Sequence, residues 1–234
     1  MNAQLDHLVV MADTLEDGAR WCQATLGVAP VPGGRHPLFG THNLLLNLSS
    51  APFPRSYLEI IAIDPAAEPA PGADGRPRTR WFDMDDLQLR QRVQQQGPQL
   101  LHWVMRVNDL DAAVTALAAQ GVDRGDVLAA SRATPRGELH WKISVRPDGQ
   151  RLFDGMLPTL IEWGAQHPTD ALPASGVTLT ATAMVHPRAT ALSRVCEAAG
   201  LGRMPVHRGP QRGSRVRFAT AAGTVTLDTG AATW

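Results

Sequence analysis

The stretch LDHLVVMADTLEDGARWCQATLGV (5–28) returns in altered form as LLHWVMRVNDLDAAVTALAAQGV (100–122). In each copy an apolar strand runs into an Asp- or Asn-rich helix start. About three turns of helix follow, and Gly then Val close the unit. Gly27 and Gly121 fall where a helix-capping glycine belongs, since glycine takes the left-handed conformation there at no steric cost. A fainter third copy is TLTATAMVHPRATALSRVCEAAGL (178–201), with Gly200 as its cap. Strand-like runs follow each helix. They are THNLLLNL (41–48) and SYLEIIAI (56–63) in the first unit, then 127–133, ELHWKISV (138–145) and TLIEWG (159–164) in the second. In the third they are 205–207, RVRFAT (215–220) and TVTLDT (224–229). The expected fold class is α+β, built from a βαβββ module repeated three times.

The boundaries read as module 1 at 1–64, a linker with a short helix at 65–99, module 2 at 100–166, a second linker at 167–175 and module 3 at 176–234. An antiparallel sheet with helices on one face leaves the other free to curl around a ligand, so modules 1 and 2 are expected to form one cup. The third unit either pairs within the chain or makes a homodimer.

Composition narrows the partners. The 22 basic and 22 acidic residues cancel, and Lys142 is the single lysine. Without a clustered positive field, neither nucleic acid nor an anionic membrane surface is expected, which leaves a small-molecule substrate. No run approaches the ~20 apolar residues of a membrane span, and the N-terminus lacks the basic and apolar pattern of a leader. Cys22 and Cys196 fall in predicted helices, so a cytoplasmic protein with reduced thiols is expected.

The sequence holds six glutamates, and two of them, Glu59 in YLEIIAI and Glu162 in TLIEWG, interrupt apolar strands. A carboxylate among Leu, Ile and Trp is costly unless paired, hydrogen-bonded or metal-bound. His7 and His102 are similarly placed in the first strands of modules 1 and 2. The separations, 102 − 7 = 95 and 162 − 59 = 103, put the four in repeat register. Strand alternation sets His7 with Leu5 and Val9, Glu59 with Tyr57 and Ile61, Asn43 with Asn47, His102 with Arg106, and His140 with Lys142. The apolar faces opposite, including Trp103 and the set Trp141, Ile143 and Val145, are expected to pack on helices. The mixed faces are expected to line the cup.

These residues, with GGRHPLFGTHN (33–43), YLEIIAID and LIEW, resemble the vicinal-oxygen-chelate superfamily and within it the glyoxalase-like domain family. The resemblance covers 5–164 well and the third unit less. It implies paired βαβββ modules around a divalent metal ion (Zn, Ni, Co, Mn or Fe), with His7, Glu59, His102 and Glu162 as ligands. It also implies that Glu59 or Glu162 is the catalytic base of a lyase or isomerase working through an enediolate or alkoxide. An Fe(II) dioxygenase using His7, His102 and Glu162, and a metal-free small-molecule-binding or resistance protein, are the alternatives. Asn43, Arg106, His140, Lys142 and the loop residue His36 are the expected substrate contacts. Thr180 or Thr182 stands where the third unit's histidine would be, which marks that unit as a non-metal module.

Overall fold

The computed structural model describes residues 3–72, 74–134, 137–202 and 205–230. Module 1 comprises β1 (Gln4–Met11), α1 (Leu15–Leu26), β2 (Val31–His36), β3 (Thr41–Asn47) and β4 (Tyr57–Ile63). The connection carries a 3-10 turn (Trp81–Asp83) and α2 (Leu87–Gln96). Module 2 comprises β5 (Gln99–Arg106), α3 (Leu110–Ala118), β6 (Asp126–Thr134), β7 (Gly137–Val145) and β8 (Thr159–Trp163). The C-terminal unit comprises β9 (Thr178–His186), α4 (Ala189–Ala198), β10 (Val206–Arg208), β11 (Gly213–Thr220) and β12 (Gly223–Thr229). No helix among the described residues is long and apolar enough to cross a membrane.

Modules 1 and 2 share one eight-stranded sheet of order β2-β3-β4-β1-β5-β8-β7-β6. The first strands, β1 and β5, pair antiparallel at its centre. Each pairs parallel with the last strand of its own module, β1 with β4 and β5 with β8. The sheet curls until its edges β2 and β6 meet, which makes the expected cup. β2 is a strand that the sequence did not announce: VPGGRH has neither alternation nor β-branched density, and pairing with β3 imposes its extended form.

The third unit has the same element order but another topology. Its sheet runs β10-β9-β11-β12, with β9 parallel to its second strand rather than its last. It therefore does not extend the cup. Instead Leu179, Met184, Val216 and Phe218 join the helix-side core that holds Leu8, Leu48, Trp103 and Leu160. The junction is tied by Leu179 N–H donating to Leu48 O at 3.0 Å and Ser50 Oγ donating to Leu179 O.

A second apolar cluster fills the inside of the cup. It joins Val9, Met11, Val104, Trp141, Ile143 and Ile161 of the sheet to Trp81, Phe82, Met84, Leu89 and Val93 of the connection. The segment expected to be a linker is thus a plug. It lies over the floor that module 2 supplies and reaches module 1 through Trp81, which packs on His36 and Phe39.

Three face assignments differ from expectation, in β1, in β7 and, for Glu162, in β8. In β1 a bulge between Leu5 and His7 inserts Asp6, so Leu5 joins Leu8 and Val10 on the helix side while His7 and Val9 keep to the cup. In β7 the alternation is as read but its sense is reversed. Leu139, Trp141, Ile143 and Val145 face into the cup, and His140 and Lys142 face outward, 64% and 43% exposed. Lys142 there bonds Asp111 of α3 at 3.0 Å. The plug supplies apolar surface inside the cup, so the apolar face of β7 turns inward to meet it.

Candidate functional site

β1, β2, β3 and β4 each deliver one polar side chain to the module 1 half of the cup. His7 comes from β1, His36 from β2, Asn43 from β3 and Glu59 from β4, and all four are buried. Cross-strand pairing explains the convergence: Glu59 pairs with Val9 of β1 and Leu45 of β3, placing its carboxylate between its neighbours. Glu59 Oε1 accepts from Asn43 Nδ2 at 2.6 Å, and its Oε2 lies 3.5 Å from His7 Nε2. Asn43 Nδ2 also lies 3.3 Å from His36 Nε2. His36 Nδ1 contacts Thr41 Oγ1 at 3.0 Å. With Nε2 accepting from Asn43, Nδ1–H is the donor to Thr41.

Asp6, the bulge residue, lies behind His7. Its Oδ1 contacts His7 Nδ1 at 2.7 Å, and its Oδ2 contacts His167 Nε2 at 2.9 Å and accepts from Trp163 Nε1 at 3.0 Å. Burial alone would raise the Asp6 carboxyl, but hydrogen bonds from His167 and His7, and their charges, outweigh it and hold the group well below the usual carboxylate range. An ionised Asp6 accepts from His7 Nδ1–H and so fixes the ring's orientation, with Nε2 turned toward Glu59. The Tyr57 ring stacks on His7 at 4.6 Å. Burial, with the Asp6 and Glu59 charges, raises its hydroxyl well above the ordinary value, so it stays protonated. Burial lowers His36 to about 4, against the pull of Glu59, so His36 is neutral at pH 7.

Glycines shape the rim. A Cβ on Gly33 would collide with Asn43 Oδ1, which accepts from Gly34 N–H at 2.8 Å. A Cβ on Gly34 would collide with Nη1 of Arg132, which reaches across from β6. The cavity bounded by His7, Glu59, Asn43, Arg132, Trp141 and Trp163 measures about 30 Å³, room for about one water. A larger cleft of about 480 Å³ lies elsewhere, between α2 and the small sheet. Its lining carries five charged residues, of which Arg151, Asp154 and Asp228 are paired with Asp83, His186 and Arg215, Arg212 donates to Asp154 O, and Arg92 completes the set; the convergence of buried polar side chains lies in the cup, which is the candidate site.

The four residues expected as metal ligands are divided. His7 and Glu59 meet. His102 shares the cup face, but Thr159 N–H donates to its Nε2 at 3.2 Å, with Thr159 Oγ1 at 3.1 Å, and its Nδ1 lies 3.1 Å from Gly155 O. Phe82 packs over it at 5.1 Å. Burial, with the charges of Arg151 and Arg124, lowers its pKa well below the ordinary value, so this histidine is neutral and saturated. Glu162 points to the helix side, where it accepts from Leu110 N–H at 2.8 Å at the start of α3. A divalent ion held by this quartet, or by the trio His7, His102 and Glu162, does not fit that arrangement. Between Glu59 and His36 stands the Asn43 amide, an N–H donor where a cation would need acceptors. Among the described residues no group of three His, Cys, Asp or Glu is arranged to hold a metal ion.

Of the expected substrate contacts, His36 and Asn43 are in the site. His140 and Lys142 are on the outer face. Arg106 stands at the far end of the floor, donating to Pro54 O, Arg55 O and Gln4 Oε1, with Asp6 Oδ2 at 3.8 Å. Asp6, Tyr57, Arg132, Trp81 and His167 were not singled out from the sequence. Asp6 carried the signal that marked Glu59, an acid inside an apolar strand, but regular alternation turned it away from His7, and a bulge is not visible in sequence.

Comparison with known proteins agrees with this architecture. The glyoxalase-like domain family matches residues 5–200. A hypothetical protein from Staphylococcus aureus shares the fold at TM-score 0.53 and 13% identity, over 97% of this chain and 85% of that one. A Streptomyces coelicolor methylmalonyl-CoA epimerase variant aligns at TM-score 0.43 and 15% identity, over 71% of this chain and 99% of its own. A 4-hydroxymandelate synthase variant from the same organism aligns at TM-score 0.45 and 13% identity, over 97% of this chain and 62% of its own. No curated protein matches the sequence. The repeated modules, the shared cup and the family match lead to one conclusion: this chain belongs to the glyoxalase-like domain family of the vicinal-oxygen-chelate superfamily.

Proposed function

We propose that this protein is an isomerase or lyase that moves a proton between neighbouring carbons of a small 2-hydroxy carbonyl compound, using Glu59 and His7. The observation that carries the reading is their facing pair, 3.5 Å apart in a closed cup, with the other nitrogen of His7 held by ionised Asp6. Glu59 removes the proton from the hydroxyl-bearing carbon, and the electron pair moves onto the carbonyl oxygen. His7 Nε2 takes the hydroxyl proton and gives it to that oxygen. Glu59 then returns its proton to the carbon that was the carbonyl. The positive charge passing over His7 is stabilised by Asp6, as in other His–Asp pairs. Asn43 holds the Glu59 carboxylate from the other side, and exclusion of water strengthens each of these interactions.

The test is exchange of the C–H proton in D2O, followed by NMR on glyceraldehyde, acetoin and hydroxypyruvate. The expected result is enzyme-dependent exchange in at least one of them. No exchange in any of them, with the fold intact, refutes proton transfer. The rival reading is a binding protein that encloses a small molecule without changing it. It draws on the fit of Trp81 and Phe82 over the floor, and binding without exchange would select it.

A further inference from the structure

We propose that Arg132 is a substrate-specificity residue, and that the cup takes a compound with a carboxylate at Arg132 and an apolar, planar body between Trp81 and Trp141. This deepens the reading of the same site as a proton-transfer centre and rests on it only for location. Arg132 lies on β6, the edge strand of module 2, and pairs with Leu139, which faces into the cup. Cross-strand partners share a face, so Arg132 faces inward too. It lines the cavity that holds His7 and Glu59. Its Nη1 is buried and has no hydrogen-bond partner. The indole Nε1 of Trp81, which lines the same cavity, is also buried and without a partner. Buried donors nearly always have acceptors, so two orphans in the wall of one cavity call for an explanation. An anionic oxygen pair supplies what both lack, and a guanidinium matches a carboxylate in shape as well as charge.

Gly34 fits the same account. A side chain there would collide with Nη1 of Arg132, so glycine keeps the space into which the guanidinium reaches. Next to it is a hollow of about 250 Å³, lined by Phe39, Ala129 and Ala130, which shares His36, Trp81 and Trp141 with the inner cavity. At ~30 Å³ per water this has room for about eight waters, enough for a ring or a branched alkyl group. The charge end of a ligand would therefore sit at Arg132, with its apolar end in the hollow and the carbons beside the carboxylate turned toward Glu59 and His7.

Calorimetric titration with phenylglyoxylate, its neutral methyl ester and inorganic phosphate tests the proposal. The unaltered protein should bind the acid at least tenfold tighter than the ester, and phosphate without an apolar body should bind more weakly than the acid. Arg132→Gln should bind acid and ester equally. Gly34→Ala, which keeps the charge but displaces it, should lose at least threefold of the preference. Arg132→Lys should keep part of it. Failure of the unaltered protein to bind the acid, equal binding of acid and ester, or a tenfold preference surviving in Arg132→Gln overturns the proposal. Glu59→Gln separates this from the reaction itself. Preserved acid preference with no proton exchange in any variant defeats the proton-transfer reading alone, and exchange without acid preference defeats only the role of Arg132.

Discussion

The two halves of the cup come from the same repeat, yet they are opposite in character. The module 1 half is polar: His7, His36, Asn43 and Glu59 converge, with Asp6 behind them. The module 2 half presents Trp141, Ile143, Val145 and Ile161 and is covered by the connection between the modules. Its own candidates are spent elsewhere, His102 on Thr159 and Gly155, Glu162 on α3, Lys142 on Asp111. Repeat register therefore carries over backbone position but not chemistry. A residue keeps its role only if the face it occupies and the segment lying on that face are also repeated, and here the plug occurs once, setting Phe82 over His102 and Trp81 against His36 and Phe39.

The comparison can be broken most strongly at Asp6. Asp6→Asn keeps the shape but removes the charge that orients His7, and proton exchange is expected to fall ~10²-fold, the lower end of what a positioned acid–base pair supplies. The same change leaves His167 and Trp163 facing a weaker acceptor and should cost about 3 kcal/mol of stability by denaturant unfolding. Since the Asp6 pKa is depressed on folding, its contribution is present above the unfolded value of about 3.9 and is lost as pH falls toward the folded one. An asparagine at this position does not titrate, so the variant's stability should decline less between pH 4 and the acid limit, at pH values set by about 3.9 and below.

His102→Ala should separate stability from chemistry. It removes a fully enclosed ring and strands the Thr159 N–H, at a cost of about 3 kcal/mol. Exchange at the intact site should stay within about threefold of the unaltered protein once it is folded, an expected ΔΔG‡ under about 1 kcal/mol. A collapse of activity without a loss of stability would show that the two halves are not as distinct as described.

The acid side of the stability curve sharpens the account of His36. Burial holds its folded pKa at about 4 against an unfolded 6.5, so the unfolded chain takes the proton first as pH falls. Stability from this group is full above 6.5 and is lost between 6.5 and about 4, roughly 3 kcal/mol at 1.36 kcal/mol per unit. His36→Gln should flatten that window in a pH series of urea melts. The smallest effect is expected from Lys142→Ala on the outer face. Its exposed pairing with Asp111 is screened by solvent, so both the unfolding midpoint and the exchange rate should stay close to those of the unaltered protein.

Much of this was legible in the sequence. The 95-residue recurrence, the helix caps and the apolar strands are local signals, and they located both modules and the pairing of β1 with β5. In module 1, Glu59 and Asn43 were found because β3 and β4 alternate without interruption, while His36 was singled out as a loop residue and stands at the end of β2. What was hidden depends on contacts between distant segments. The sense of β7 is set by the plug, the inward turn of Asp6 by a bulge, and the placement of Arg132 by closure of the β2 and β6 edges. The different strand order of the third unit follows from which strand β9 meets, which alternation alone does not encode.

The central claim is that catalysis lies wholly in the module 1 half, and the two glutamates in repeat register test it most directly. Glu59→Gln and Glu162→Gln are to be compared in the same D2O exchange assay, with unfolding curves to confirm that both fold. The account predicts at least a 100-fold fall in exchange for Glu59→Gln, about the lower end of what an acid–base group supplies. For Glu162→Gln it predicts a rate within about twofold of the unaltered protein and a loss of about 0.5–1 kcal/mol in stability from the weakened start of α3. Comparable loss of exchange in both variants would contradict it, because Glu162 would then be acting in a site from which its side chain is turned away.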